Sequence, residues 1–169
     1  KGKKIAFLSY VDQNIPPKNL GYARSNFPGI AKMDIATIGV DVAAAQMLAD
    51  IIVVSMHAGR EYKKEPTQFQ KDFAHAAIDA GASVVVGHHP HVIQPVENYM
   101  DGIIFYSLGN FVFAQFFHED VKTGLTAKIS FNSKNRPSAE LFPVYIEKTQ
   151  PRILEGEERE AVINNLLSL

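Results

Sequence analysis

The sequence predicts an α/β fold of the mixed (α+β) kind, for three reasons. Two short apolar runs, 51–56 and 83–86, have the continuous hydrophobicity of strands that are covered on both faces of a parallel sheet. A segment with helical periodicity, 67–80, lies between them, and strand, helix, strand is the repeating unit of parallel sheets. Beyond residue 92 the pattern changes to apolar segments separated by turn residues, which is typical of antiparallel strands.

Length and composition fit one globular domain, so we expect 1–169 to belong to a single unit. The chain has 169 residues, of which 46% are hydrophobic and 21% charged. Its formal net charge is −1, and its 17 Lys and Arg residues are scattered, which argues against nucleic acid as a partner. Cysteine is absent, so any bound metal must use His, Asp, Glu or Asn as ligands.

The first elements are predicted from local chemistry. A β-rich segment, 4–10, reads as a strand, and the proline- and glycine-containing stretch 12–28 reads as a long loop. Helical composition at 40–49 leads directly into the apolar strand 51–56. These elements come in the order expected for the start of a parallel sheet.

The helix over 67–80 is the element with the clearest signals. Thr67 and Gln70 have the spacing of a capping box, and Gly81 offers the left-handed residue that ends many helices. The buried strand 83–86 follows at once.

The remaining chain predicts strands and a closing helix. The polar segment 132–138 is expected to be a hairpin loop, and 157–168 a helix. The expected strands are 92–96, 103–107, 123–131 and 139–147.

Histidines follow two of the predicted strands. His57 comes directly after 51–56, and His88, His89 and His91 come directly after 83–86. Sequential strands are usually neighbours, and the carboxyl ends of parallel strands meet at one rim of the sheet. Neutral imidazoles converging there would suit a divalent metal. The alternative is a histidine-rich loop that hydrogen-bonds to the backbone.

Four stretches in a fixed order resemble the CapA family of bacterial capsule-synthesis proteins, which is associated with poly-γ-glutamate. They are His-Ala-Gly-Arg-Glu-Tyr at 57–62, Pro66 with Gln70, the segment 80–97 containing Gly-His-His-Pro-His, and Phe-Tyr-Ser-Leu-Gly-Asn-Phe-Val-Phe at 105–113. The resemblance implies a branch of the calcineurin-like metallophosphoesterases. Their fold is a four-layer α-β-β-α sandwich, and their site usually holds two divalent metal ions, with Mn, Fe or Zn as the candidates here.

The resemblance covers the C-terminal half of such a domain. The family's upstream motifs, which supply a Gly-Asp pair, a Glu or Asn, and an Asn-His pair, do not occur before Lys4. We therefore expect 1–169 to be the C-terminal portion of a single domain whose partner is its own missing N-terminal half. The bridging carboxylate and the general acid are expected in that half, and this chain alone is expected to be inactive.

Carried over residue by residue, the resemblance implies that His57, His89 and His91 are metal ligands. His88 is additional, as a ligand, a donor to a ligand or a substrate contact. Glu97 and Asn110 are expected to order the site or its rim.

Arg60 and Glu61, which follow His57 on the same loop, each have two possible roles. Arg60 and Glu61 are expected either to touch an anionic substrate or to form an exposed ion pair. Ala58 stands where the family usually has Trp, which predicts a wider pocket wall.

Three further sets of side chains are expected to have structural roles and no part in a functional site. His75 is expected to be an ordinary surface or interface histidine, and His118 part of a solvated charged turn. Packing in the core is expected of four aromatic residues, Phe111, Phe113, Phe116 and Phe117.

The function expected from the resemblance is metal-dependent hydrolysis of the phosphoesterase type in capsule synthesis or export. A non-catalytic capsule-assembly component that keeps the fold is the alternative, and an unrelated metal-binding module is a third. The implied setting is the extracytoplasmic surface of a bacterial cell. There the protein would be anchored by a membrane segment outside this chain, with other capsule-synthesis membrane proteins as partners.

Overall fold

The first sheet contains the parallel strands predicted from the sequence. The computed structural model describes residues 2–15 and 21–167; the predicted loop 12–28 thus lies partly outside the described residues. Five strands have the order β1-β2-β3-β5-β4, in which only β4 is antiparallel to its neighbour. Their bounds are β1 Ile5–Val11, β2 Ile51–His57, β3 Val84–His88, β4 Val96–Tyr99 and β5 Gly102–Phe105.

The expectation that 51–56 and 83–86 are neighbouring strands is confirmed. β2 and β3 are parallel, with Val54 opposite Val85 and His57 opposite His88. Both strands are mostly buried, as their uninterrupted apolar runs require. The carboxyl ends of the two strands therefore meet at the same rim.

Two helices, α1 (Ile35–Gln46) and α2 (Gln68–Asp79), cover one face of this sheet and enclose the larger hydrophobic core. The capping box of α2 is present, because the backbone N–H of Thr67 donates to Gln70 Oε1 at 2.9 Å. α1 begins five residues before the predicted 40–49, since Asp34 caps it by accepting a hydrogen bond from the N–H of Ala36.

A second sheet covers the opposite face. It contains β6 (Thr123–Phe131), β7 (Pro137–Glu147) and β8 (Gln150–Ile153), all antiparallel. Its residues pack on the first sheet in a second core, and α3 (Gly156–Leu167) contacts β7. The layers are thus helix, sheet, sheet and helix, which agrees with the expected four-layer architecture.

β1 is an edge strand with one uncovered face. Ile5 and Phe7 lie opposite Ile51 and Val53 of β2, which are buried against the second sheet. Ile5 is nevertheless 47% exposed and Phe7 71% exposed. The second sheet therefore stops short of β1 and leaves an apolar strip on the sheet face.

Two strand predictions were inaccurate. The predicted strand 92–96 is mostly an irregular segment with an isolated bridge between Ile93 and Leu108 and single backbone hydrogen bonds to 106–107, and β4 begins at Val96. Pro95 has no N–H to donate to a ladder, which accounts for the break. β8 was not predicted.

Across residues 2–15 and 21–167, none of the helices has the length and hydrophobicity needed to cross a membrane.

Candidate functional site

The three histidines expected to be metal ligands lie together at the rim of the first sheet. The ring centroids of His57 and His89 are 5.0 Å apart, and those of His89 and His91 are 6.3 Å apart. His57 ends β2, while His89 and His91 lie in the turn that follows β3. The parallel pairing of the two strands brings these side chains into one cluster, which we call the histidine cluster.

The backbone of this turn is unusual. His89 has a φ of 103° and His91 a φ of 61°, both in the left-handed region that non-glycine residues rarely adopt. The turn is held by two backbone hydrogen bonds, from Ala58 N to His88 O at 3.0 Å and from Tyr62 N to Pro90 O at 2.8 Å. Strained backbone of this kind collects at functional sites, where the surrounding structure enforces it.

Desolvation favours the neutral form of three histidines at this rim, His57, His88 and His89. Desolvation lowers the pKa of His57, His88 and His89 below the ordinary value of 6.5, and repulsion from His89 lowers the pKa of His57 further. A neutral imidazole has one free lone pair, which is the form that binds a metal ion. These histidines are therefore prepared to act as ligands at neutral pH.

Two carboxylates lie beside His89 and oppose the effect of its burial. The negative charges of Glu61 and Asp12 both act to raise the pKa of His89. Asp12 is buried at the end of β1, its N–H donates to His57 O at 3.0 Å, and its Oδ1 accepts from Asn14 N at 3.0 Å. Sequence reasoning missed Asp12, although this polar residue lies two positions after the predicted strand 4–10, much as His57 follows 51–56.

Asn110 contacts the cluster directly. Its Oδ1 lies 2.8 Å from Nδ1 of His91, and its side chain is 6% exposed. Asn110 thus lies beside the histidine cluster, and its ordering role stays a prediction.

Glu97 lies elsewhere, in contrast to the expectation that it orders the rim. Its carboxylate contacts Nε2 of His75 at 3.1 Å and accepts from the hydroxyl of Tyr106 at 2.6 Å. Glu97 lies beside His75 because strand β4, which carries Glu97, runs next to helix α2, which carries His75. His75 stacks on Tyr99 with a centroid distance of 3.9 Å, so it is a partly buried member of this group and not an ordinary surface histidine.

The loop after β2 exposes Arg60 and Glu61. In the part of the chain that the structure describes, no ion pair joins the two, and the loop is instead tied by Lys64 to Asp120 at 2.8 Å. Ala58 is fully buried in the larger core, and the expectation of a wider pocket wall beside the first histidine stays a prediction. Its side chain points toward the core because it alternates with the cluster residue His57.

The four phenylalanines expected in the core are exposed instead. Phe111, Phe113, Phe116 and Phe117 are between 43% and 66% exposed, because the segment 111–118 leaves the sheet without regular structure. Phe113 lies 5.1 Å from the ring of His91. The ring of Tyr62 stacks on His91 at 6.0 Å and meets Phe117 edge-on at 5.1 Å. An aromatic rim thus borders the histidine cluster.

His118 lies in the solvated charged turn expected for it. Its Nδ1 accepts from the N–H of Asp120 at 3.2 Å, and its side chain is exposed.

The donor chemistry of the histidine cluster can be compared with the needs of a divalent metal ion. Within residues 2–15 and 21–167, no group of three His, Cys, Asp or Glu side chains is arranged to hold a metal ion by itself. The donors present, neutral imidazoles next to carboxylates, have the chemistry that a divalent transition metal prefers. The residues therefore fit part of a ligand set that requires further donors.

The fold of this chain is shared with a solved structure. The model superposes on a crystal structure assigned as a 5′-nucleotidase from Staphylococcus aureus in complex with alpha-ketoglutarate, with a TM-score of 0.54 and 16% sequence identity. That match covers 99% of this chain and 32% of the other. At this identity the likeness concerns the fold alone.

The chain belongs to the bacterial capsule synthesis protein family PGA_cap, whose model matches residues 1–115. It is 38% identical over 152 residues to the PGA biosynthesis protein CapA of Bacillus subtilis (strain 168), covering 89% of this chain and 38% of that protein. It is 42% identical over 106 residues to the capsule biosynthesis protein CapA of Bacillus anthracis, covering 62% and 25%. The chain thus spans well under half the length of these relatives.

Proposed function

We propose that this chain supplies the histidine half of a two-metal, phosphoesterase-type hydrolase site in a protein of capsule (poly-γ-glutamate) synthesis or export. The observation that carries the proposal is the convergence of His57, His89 and His91 at the carboxyl ends of paired parallel strands. Family membership and the names of the relatives supply the biological setting.

In this proposal some residues would bind metal ions, and others would contact the substrate or supply charge beside the metal ions. His57, His89 and His91 would hold divalent ions, with Mn, Fe and Zn as candidates, through neutral ring nitrogens. Such ions polarise a phosphoryl oxygen and lower the pKa of a bound water. Arg60 is exposed on the loop after β2 and offers a guanidinium to an anionic substrate. Glu61 and Asp12 place negative charge beside His89, which favours a bound cation.

The remaining ligands and the general acid would come from the rest of the same domain. The chain matches 38% of the length of the Bacillus subtilis relative, which leaves most of that protein unmatched. The strip formed by Ile5 and Phe7 on edge strand β1 is the place where further sheet would pack. A strand added there would also pair with the free edge of β1.

The cellular setting is part of the same proposal. The capsule lies outside the cell, so the protein would work at the extracytoplasmic bacterial surface, anchored through a membrane segment outside this chain. Membrane proteins of capsule synthesis would be its partners there.

A non-catalytic assembly role is the second candidate. It is favoured by one observation: the histidine cluster does not complete a metal site from the described residues alone. In that case the fold would bind a metal or none, and would not hydrolyse a substrate.

The experiment measures turnover of p-nitrophenyl phosphate by the full-length protein supplied with Mn²⁺, Fe²⁺ or Zn²⁺. We expect metal-dependent hydrolysis that falls about 100-fold or more in His89→Ala, because the variant loses a ligand. His118→Ala is the matched control and should retain activity, since His118 only caps an exposed turn. Metal bound without any turnover would favour the assembly role and overturn the hydrolase.

A further inference from the structure

We infer that Asn110 is a positioning residue: it fixes His91 in the tautomer that carries its proton on Nδ1, so that Nε2 is the nitrogen offered to a metal. The inference concerns the neutral side chain itself. Its consequence for metal binding rests on the proposed function.

The orientation of the Asn110 amide is determined by its other contacts. Its Nδ2 donates to the carbonyl of Val121 at 2.9 Å and to Oε1 of Gln115 at 3.2 Å. The carbonyl of Val121 can only accept a hydrogen bond, so the atom facing it must be the NH₂ group. The atom that faces His91 is therefore the oxygen.

An oxygen in that place requires a donor on the histidine. Oδ1 of Asn110 lies 2.8 Å from Nδ1 of His91, a normal hydrogen-bond length. The opposite tautomer would place the lone pair of Nδ1 against a buried carbonyl oxygen and leave both acceptors unsatisfied. In neutral imidazole only one nitrogen carries hydrogen, so a proton on Nδ1 leaves Nε2 with the lone pair.

A closed chain of contacts holds the pair in place. Gln115, which accepts from Asn110, donates through Nε2 to the hydroxyl of Tyr62 at 3.3 Å. The ring of Tyr62 stacks on His91 with an interplanar angle of 27°. The loop after β2 and the segment after Asn110 are thereby joined around the same imidazole.

The backbone under Asn110 is equally constrained. Gly109 forms a bridge to Gly124 at the start of β6, and a methyl group at Gly124 would overlap the carbonyl oxygen of Asn110. Because the backbones at Asn110 and Gly124 approach so closely, the Cα position from which the Asn110 side chain extends is fixed. The hydrogen bond to His91 is therefore part of a rigid arrangement.

The test is long-range ¹H–¹⁵N NMR of the metal-free chain at about pH 8, above the ordinary pKa of histidine. We expect His91 in the Nδ1–H form in the wild type and in Asn110→Asp, which keeps an oxygen acceptor. In Asn110→Ala we expect the population to move toward the Nε2–H form that free histidine favours. Asn98→Ala, at an exposed position of β4, is the matched control and should leave the tautomer unchanged.

An Nε2–H tautomer of His91 in the wild-type chain would overturn the inference, whether or not the Asn110→Ala variant folds. An unchanged Nδ1–H tautomer in a folded Asn110→Ala variant would overturn it as well.

Metal titration of the full-length protein by calorimetry separates this inference from the proposed function. We expect Asn110→Ala to weaken Zn²⁺ binding about 10- to 100-fold, with Asn110→Asp closer to the wild type. If the tautomer is as expected and no variant binds metal, the proposed function fails and the positioning role of Asn110 stands.

Discussion

Replacing Gln70 by alanine tests how the loop carrying Arg60 and Glu61 is held. Gln70 is fully buried in α2, and its Oε1 accepts from the N–H of Thr67 at 2.9 Å. Its Nε2 donates to Oε1 of Gln94 at 2.9 Å.

Gln94 links Gln70 to the loop after β2 by hydrogen bonds. It is also fully buried, and its Nε2 donates to the carbonyls of Lys63 at 2.9 Å and Glu65 at 3.2 Å. The loop is therefore fixed to the sheet through two buried amides in series.

The expected cost follows from what the Gln70→Ala variant leaves without a partner. The buried oxygen of Gln94 loses its donor, which costs about 1–3 kcal/mol, and the capping box loses one of its two hydrogen bonds, about 1 kcal/mol. We expect the free energy of unfolding to fall by about 3 kcal/mol in total. For a domain of this size the melting temperature would fall by roughly 6–12 °C.

Urea unfolding followed by circular dichroism measures this loss. Gln68→Ala is the matched control, because Gln68 lies on the same helix and only forms an exposed hydrogen bond to Asp72 at 2.7 Å. The control should cost less than about 0.5 kcal/mol. A loss below about 1 kcal/mol in Gln70→Ala would refute the reasoning.

Three further predictions concern stability. Desolvation lowers the pKa of His57, His88 and His89 below the ordinary 6.5, so the unfolded chain takes up more protons than the folded chain as the pH falls through that value. Urea midpoints should be constant above about pH 7 and decline below it, and a rise on acidification would contradict these lowered pKa values. Gly124→Ala should lower the free energy of unfolding by about 3 kcal/mol or more, because the added methyl group overlaps the carbonyl oxygen of Asn110. The control Gly39→Ala, in α1 with its nearest neighbour 3.9 Å away, should be neutral or stabilising by up to about 1 kcal/mol. Equal effects of the two substitutions in thermal melts would contradict the close approach of Gly124 to Asn110. Phe7→Ser should cost less than about 1 kcal/mol in this chain and at least about 2 kcal/mol in the full-length protein; the same small cost in both would argue against a covered β1.

Much of the first sheet could be predicted, because its strands have a simple physical signature. Strands covered on both faces need continuous apolar runs, and 51–56 and 83–86 show them. Once those two were neighbours, the meeting of His57 with His89 followed from parallel strand ends. By contrast, β8 (Gln150–Ile153) is short and mostly polar, so no pattern marked it.

The errors at the site have different causes. The phenylalanines after Asn110 were placed in the core for their hydrophobicity, yet the segment leaves the sheet and exposes them beside His91. Glu97 was placed at the rim by the family resemblance, whereas strand β4 carries it to His75. Asp12 was overlooked because no motif contains it.

The central claim is that this chain holds only part of a metal site. Its most direct test is metal content per chain by elemental analysis, after purification without chelators, of this 169-residue chain and of the full-length protein its gene encodes. We predict about two metal ions per chain in the full-length protein, fewer in this chain, and a loss in full-length His89→Ala. An absence of metal from the full-length protein would contradict the account.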